Sequence, residues 1–568
     1  MNRHKLFVVV IAGSLLAACE SGDINITPTT IDNSVDNSTG GGGGSEDDVC
    51  ASYVRDGATI QGSADGNGNC TYDNTFVGPK NNLQEDLLIP ALPDGGAHIF
   101  TSSLFVGNTY RTQAELQAAG IAQGGDGPTL TIQAGATLAF QSNSDFMIIN
   151  RGSRIIADGR PDAPITLTSV TDINGTVDPE AVQQWGGVVI NGFAVSNKCS
   201  YVGNRGEAGF ELAPGTECSI DAEGSAGDDE SQYGGANDAD DSGILRYVIV
   251  KHTGAQVGNG DELNGISFGG VGSGTIVENL EVYSTFDDGV EMFGGSFDIT
   301  NLVAIYVRDD SIDIDEGYNG TITNALVVQS AADGNHCIES DGIGSYGDLD
   351  QATRDDFIAR GLNSAPTINN LTCIISANVV PPGTHDPGAG WRFREGIHPV
   401  VNDSLIISSF GANDQGAADD NYCLRIDNVE TAEAAINGDL QLNSVIFSCQ
   451  ENVKGNEIAD RNGVVAFADE RAFAEAEGNQ FATVADGAVV DASDAANPEV
   501  NLLTGAQKVY SLPWDQSIVD TAAPVGTTTP TSGTATDILG AISATDDWTQ
   551  PWAYGIDPNN SGQALWFE

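Results

Sequence analysis

Short strands recur along this sequence at steps of about 22–26 residues, and no helical periodicity runs between them. Ile266, Val290, Ile312 and Ile338 stand in comparable runs where apolar and polar residues alternate. Further β-rich segments follow at Leu280–Tyr283, Leu302–Val307, Ala325–Gln329, Leu371–Ile375, Leu405–Ser408 and Ser444–Phe447, each punctuated by Gly, Asn or Asp. One such unit cannot bury its apolar face alone, but a stack of units can. A blade repeat of roughly 40–45 residues would indicate a propeller, and a sandwich has no fixed register. The spacing therefore predicts an all-β fold, a right-handed parallel β-helix with a short N-terminal cap and a C-terminal capping segment. Nearer the N-terminus, Met147, Ile149, Gly152 and Ile155 reproduce the pattern of Leu130, Ile132, Gly135 and Leu138, which predicts two stacked neighbours.

The flanks read differently. Arg3 and Lys5 precede an apolar run, Leu6 to Ala18, too short to span a bilayer and of the length of a secretory signal. It ends Leu16-Ala17-Ala18-Cys19, which resembles the bacterial lipobox, where Cys19 becomes the acylated first residue. Glu20 follows, so the Asp of the enterobacterial inner-membrane retention signal is absent. The expected address is an outer-membrane lipoprotein facing the periplasm or the cell surface. The expected organisation is a lipoprotein signal peptide over 1–18 and a flexible tether over 19–48, containing Gly40 to Gly44. An N-terminal cap over 49–125, the β-helix over 126–455, and C-terminal coils with a capping segment over 456–568 follow. Thr112-x-x-Glu115 is a capping-box pattern that predicts a short helix to about Ala122, placed to cap the first coil. Residues 467–477 form a second helix candidate, and Trp548 with Trp552 an aromatic cover for the far end. Such cover matters because a bare coil is an open strand edge.

Eight cysteines remain after Cys19, an even number that suits disulfides in an exported chain. Neighbour pairing gives Cys50–Cys70, Cys199–Cys218, Cys337–Cys373 and Cys423–Cys449; no Cys-x-x-Cys pair suggests zinc. With 22 Lys+Arg against 80 Asp+Glu, the formal charge is −58, which excludes a nucleic-acid partner on electrostatic grounds.

Several ordered motifs resemble a widespread group of bacterial right-handed β-helix surface proteins and lipoproteins. They include Ile132-x-Ala134-Gly135, Trp185-Gly186-Gly187, Ser242-Gly243-Ile244, Asp287-Asp288-Gly289 with Phe293-Gly294-Gly295, Asp309-Asp310 with Gly317-Tyr318, and Asp547-Trp548-Thr549. The resemblance covers roughly residues 125–555 and implies fold and address more than activity.

Strand alternation turns the repeat into a candidate site. If Ile312 and Ile314 point inward, Asp313 and Asp315 point outward. Carried from coil to coil, one outward column reads Ser267, Glu291, Asp313, Glu339, Arg392, Arg425, and its neighbour reads Phe293, Asp315, Asp341, Arg394, Asp427. Carboxylates on adjacent coils repel, and calcium, which takes six to eight oxygens, relieves them. The expected metal residues are Asp287, Asp288, Glu291, Asp309, Asp310, Asp313, Asp315, Glu339 and Asp341. A hydrated acidic face is the competing reading. Arg392 and Arg394 are candidate ligand-binding or catalytic residues, set to make a salt-bridge ladder or a groove for an anionic glycan.

The functional expectation is an anchored β-helix whose calcium-binding face holds a glycan or an envelope protein, an outer-membrane transporter among them. One alternative is a polysaccharide hydrolase or lyase in the Asp/Arg groove. Polygalacturonase-like enzymes use aspartates on successive coils, but their Gly-His-Gly and Arg-Ile-Lys motifs are missing, and His336 has no flanking glycines. Pectate-lyase-like enzymes pair calcium with an arginine base. The other alternative is a structural or adhesive surface protein. Lys251-His252 reads as structural.

Overall fold

The computed structural model describes residues 49–121, 125–224, 231–257, 261–330, 333–375, 388–408, 422–448, 453–481, 511–513, 538–542, 547–556, 560–563 and 565. Residues 1–48, including Cys19, the leader and the tether, lie outside this set. No helix among the described residues is long and apolar enough to cross a membrane.

The chain winds as a right-handed parallel β-helix. Nine strands stack in parallel as one sheet, from Leu104–Val106 through Met147–Ile149, Val188–Asn191, Ile266–Gly269, Val290–Phe293, Ile312–Asp315, His336–Asp341 and Ala389–Arg394 to Leu424–Ile426. A larger, mostly parallel sheet of 18 strands makes the remaining walls. Parallel pairing already joins Cys70–Tyr72 to Ala97–Phe100 and reaches Gln480–Phe481, so stacking starts and ends outside 126–455. The predicted inward residues Ile132, Ile149, Val290, Ile312 and Ile338 are all buried in one continuous core. Ile266, Val290, Ile312, Ile338, Trp391 and Leu424 stack there in direct register.

The coils turn a corner inside single strands. Asn279, Asn301, Asn324 and Asn370 adopt φ between 55° and 63°, a left-handed conformation that Asn tolerates better than most residues. Their side chains bond coil to coil, Nδ2 of Asn301 to Oδ1 of Asn279 at 2.9 Å, Asn324 to Asn301 at 2.9 Å, and Asn370 to Asn324 at 3.0 Å. Asn301 and Asn324 thus each donate to one neighbour and accept from the next, which fixes the register of the bend.

Three expectations about stacking and capping change. The similarity of 130–138 and 147–155 is not a stacking repeat: Leu130 pairs with Ile155 and Leu138 with Leu167, whereas Met147 pairs with Leu104 and Val188 in the nine-stranded sheet. Successive strands of one coil carry the same alternation, so short-range similarity compares different walls. The helix Gln113–Ala119 has the predicted capping box but packs Leu116 against Ile121 and Phe193. The hairpin Ser52–Arg55/Ala58–Gln61 joins the core at the N-terminal end instead, with Tyr53 against Phe76. The C-terminal aromatic segment lies along the large sheet and not over its far end. Ile542, Trp552 and Ile556 pack on Ile249, Val303, Leu326, Ile374 and Ile407, which belong to successive coils. A lateral row of outward apolar residues offers more area than one end coil. Helix Glu470–Ala476 matches the second candidate; Gln351–Ala359 and Val429–Asn437 are helices that the strand periodicity does not predict.

Disulfides join Cys50–Cys70, Cys199–Cys218 and Cys337–Cys373 as expected. Cys423 is buried, and its expected partner Cys449 lies outside the described residues.

Candidate functional site

The outward column of the nine-stranded sheet forms in the predicted register. Ser267 sits beside Glu291, Glu291 beside Asp313, Asp313 beside Glu339, Glu339 beside Arg392, and Arg392 beside Arg425. In the neighbouring column Phe293 pairs with Asp315 and Asp341 with Arg394.

The face is roofed, which strand alternation alone does not predict. Asp288, Glu291 and Asp310 are only 7%, 8% and 5% exposed. The cover comes from residues 192–224 and 231–242, between strands Val188–Asn191 and Gly243–Thr253, stapled by Cys199–Cys218. Buried Arg151 holds it by donating to the carbonyls of Cys218 and Gly234, each at 2.6 Å. Tyr233 packs on Phe293 and donates its hydroxyl to Glu316 at 2.8 Å. Lys198 pairs with that same Glu316. Asn264 Nδ2 donates to Glu223 Oε2 at 2.6 Å and to Glu291 Oε2 at 2.5 Å, so a carboxylate of the roof stands close to one of the ladder.

The ladder divides into two electrostatic halves. Toward the C-terminus, Arg392 Nη1 meets Glu339 at 2.7 Å and its Nε meets Asp427 at 3.0 Å. Arg394 Nη2 meets Glu339 at 2.8 Å and also binds Asp341. Arg425 joins Asp427 at 2.6 Å. Toward the N-terminus, no Lys or Arg among the described residues forms an ion pair with Asp288, Glu291 or Asp313. Their carboxylate oxygens lie within 4.8 Å of one another, as do those of Asp287, Asp288 and Asp309. Burial first, and mutual repulsion second, push the carboxyls of Asp288, Glu291 and Asp313 well above the usual carboxylate range. Asp310 and Asp315 shift the same way for the same leading reason. Hard carboxylate oxygens crowded in this way suit calcium.

Of the predicted metal residues, the structure gathers Asp287, Asp288, Glu291, Asp309 and Asp313 in two overlapping groups. Asp310 and Glu339 join a third, with His336, whose ligand atoms also lie within 4.8 Å. Asp341 is tied to Arg394, and Asp315 accepts the N–H of Glu316 at 2.5 Å. His336 Nδ1 lies 2.8 Å from Asp310 and its Nε2 lies 2.7 Å from the Tyr422 hydroxyl. Burial pushes this imidazole down to about 4. Without flanking glycines His336 carries no motif signal in the sequence, and Glu223 and Lys198 come from a roof without periodicity. Lys251 and His252 lie on the large sheet, Lys251 paired with Asp172 at 2.7 Å, in keeping with a structural role.

Residues 103–490 match the family model of the pectate-lyase-like β-helix domain, which is more than half of the chain. No curated protein and no solved structure matches.

Proposed function

We propose that this chain, which belongs to the pectate-lyase-like β-helix domain family, is a calcium-loaded binding module carried on the cell envelope. The observation that supports it best is the group Asp288, Glu291 and Asp313, the first two buried and the third half-buried, with oxygens within 4.8 Å of one another and without a described Lys or Arg in ion-pair contact. A divalent ion would convert their repulsion into shared coordination. Asp287 and Asp309 extend the oxygen set, and Asp310, Asp315, Glu339 and Asp341 are its outer members. The ion fixes the ladder and the roof above it, and the Asp/Arg face beside them receives a glycan or an envelope protein, an outer-membrane transporter being one candidate. The leader and Cys19 supply the lipid anchor and an outer-membrane address facing the periplasm or the cell surface. Calorimetric titration of the chelator-treated chain with calcium tests the reading: saturable binding lost in Asp288→Asn/Asp313→Asn is expected, and no binding heat would overturn it.

The family match favours a second reading, β-elimination on a uronic-acid polymer with calcium and an arginine base. Arg392 and Arg394 speak against it, because both are tied to carboxylates and a base must be free to accept a proton. Incubation with a panel of uronic-acid polymers discriminates: released unsaturated oligosaccharides would replace the binding-module reading by the lyase.

A further inference from the structure

A buried carboxyl far along the chain from the C-terminal segment holds that segment in place. Glu281 stands on strand Ile276–Thr285 and is fully buried. Its Oε2 accepts the backbone N–H of Tyr554 at 2.7 Å, while its Oε1 has no hydrogen-bond partner among the described residues. A carboxylate sealed with part of its acceptor capacity unmet is costly to keep ionised.

The groups around it come from three elements. The large sheet contributes Lys251, Tyr283 and Tyr306, the C-terminal segment contributes Tyr554, and residues 170–184 contribute Asp172 and Glu180. Lys251 does not form an ion pair with Glu281. Its Nζ sits 2.7 Å from Asp172 and 4.1 Å from the centre of the Tyr554 ring. His252 faces Asp172 at 3.7 Å. The rest of the contact is apolar, with Trp552 edge-on to Tyr247 and Tyr554 edge-on to Tyr283.

We propose that residues 547–556 are a proton-controlled strap: protonated Glu281 holds it against the large sheet, and loss of that proton releases it. Burial pushes the Glu281 carboxyl well above the usual carboxylate range, opposed by the Tyr554 amide and the Lys251 charge. The docked form therefore binds the proton more tightly than the released form. Docking is fully favoured below the ordinary carboxylate range and weakens as pH rises through the docked value. One linked proton changes the docked-to-released ratio by up to about tenfold per pH unit. Release would bare the apolar strip that contains Ile249, Val303 and Leu326.

Hydrogen exchange of the full chain, read by peptide and corrected for intrinsic chemical rates, tests this across a pH series. Protection over 547–556 is expected to fall by up to about tenfold per pH unit above its onset, while the core strand Thr129–Ile132, which carries no titratable residue, keeps its protection. Glu281→Gln stays neutral and should flatten the profile. Lys251→Gln removes the opposing charge, raises the docked value and should carry the fall to higher pH before it levels off, with its onset unchanged. A parent profile without pH dependence, a fall that survives intact in Glu281→Gln, or a fall that levels off at an unmoved pH in Lys251→Gln would each overturn the proposal.

Discussion

Replacing Asp313 by Asn removes one charge from the middle of the acidic half-ladder and keeps the shape of the side chain. The oxygens of Asp288, Glu291 and Asp313 lie within 4.8 Å of one another. Two unit charges at that separation repel by about 3.5 kcal/mol at an effective dielectric of 20. Without calcium, bound protons relieve that repulsion, because burial and the neighbouring carboxyls push all three groups up. The folded state then holds more protons than the unfolded chain, so stability falls as pH rises through the raised values. Calcium takes the place of those protons and stabilises by about 2.7 kcal/mol at a hundredfold excess over Kd. For a solenoid of about 430 residues the unfolding entropy is roughly 0.9 kcal/mol/K, which converts this to about 3 °C in Tm. Scanning calorimetry in calcium, in chelator and in ionic-strength-matched sodium reads the difference, at about pH 6 and about pH 8. The parent should gain about 3 °C from calcium at the higher pH and less at the lower, where protons compete. Asp313→Asn should melt above the parent in chelator and gain less from calcium. Identical parent curves in all three solutions, or a full calcium increment in the variant, would refute the reasoning.

Other substitutions test the frame and the address. Asn324→Ala loses the bonds to Asn301 and Asn370 and places Ala at a φ of 58°, so it should cost about 2–4 kcal/mol in a denaturant titration. Asn324→Gly relieves the backbone but not the ladder and should cost less; equal losses would assign the effect to the side chain alone. Ile312→Asp puts an unpaired charge into the core and should cost several kcal/mol, on the order of 4 or more. Cys19→Ala should abolish labelling by a fatty-acid analogue, since acylation needs that thiol; label retained on the variant would remove the lipid anchor.

The β-helix register was legible in the sequence because the constraint is local and repeated. In Val290-Glu291-Met292 and Ile312-Asp313-Ile314 a slip of one residue would turn acids into the core, so alternation alone sets which side chains stack. The Glu339–Arg392–Arg425 continuation followed from the same rule across longer steps. The roof followed no such rule. Glu223 reaches Glu291 through Asn264 from an excursion whose course depends on Cys199–Cys218 and on Arg151, contacts between residues far apart in sequence. His336 opens the strand that carries Glu339, and only the fold shows that Asp310 and Tyr422 meet its two nitrogens. The C-terminal aromatics were recognisable as a cover, but the surface they cover is set by which sheet face is apolar. That face is assembled from strands of successive coils that no local pattern connects.

The two halves of the ladder answer the same electrostatic demand in different ways, and exchanging one answer for the other tests whether the demand is real. Arg394 neutralises Glu339 and Asp341, with side chains 25%, 12% and 14% exposed. Arg394→Met keeps much of the aliphatic stem and removes the charge. Loss of a partly exposed pair costs about 1–3 kcal/mol, below the value for a fully buried one. Asp341 would then stand unneutralised and Glu339 would keep only Arg392, so carboxylate charge would extend the row that begins at Glu291 and Asp313, and the calcium-dependent gain in Tm should exceed that of the parent. In chelator the variant should melt below the parent, because carboxylate charge that Arg394 had neutralised then adds to the repulsion along the row. If Arg394→Met instead loses the same stability in calcium and in chelator, the guanidinium serves only as a local salt bridge. Cation demand would then not be shared along the ladder.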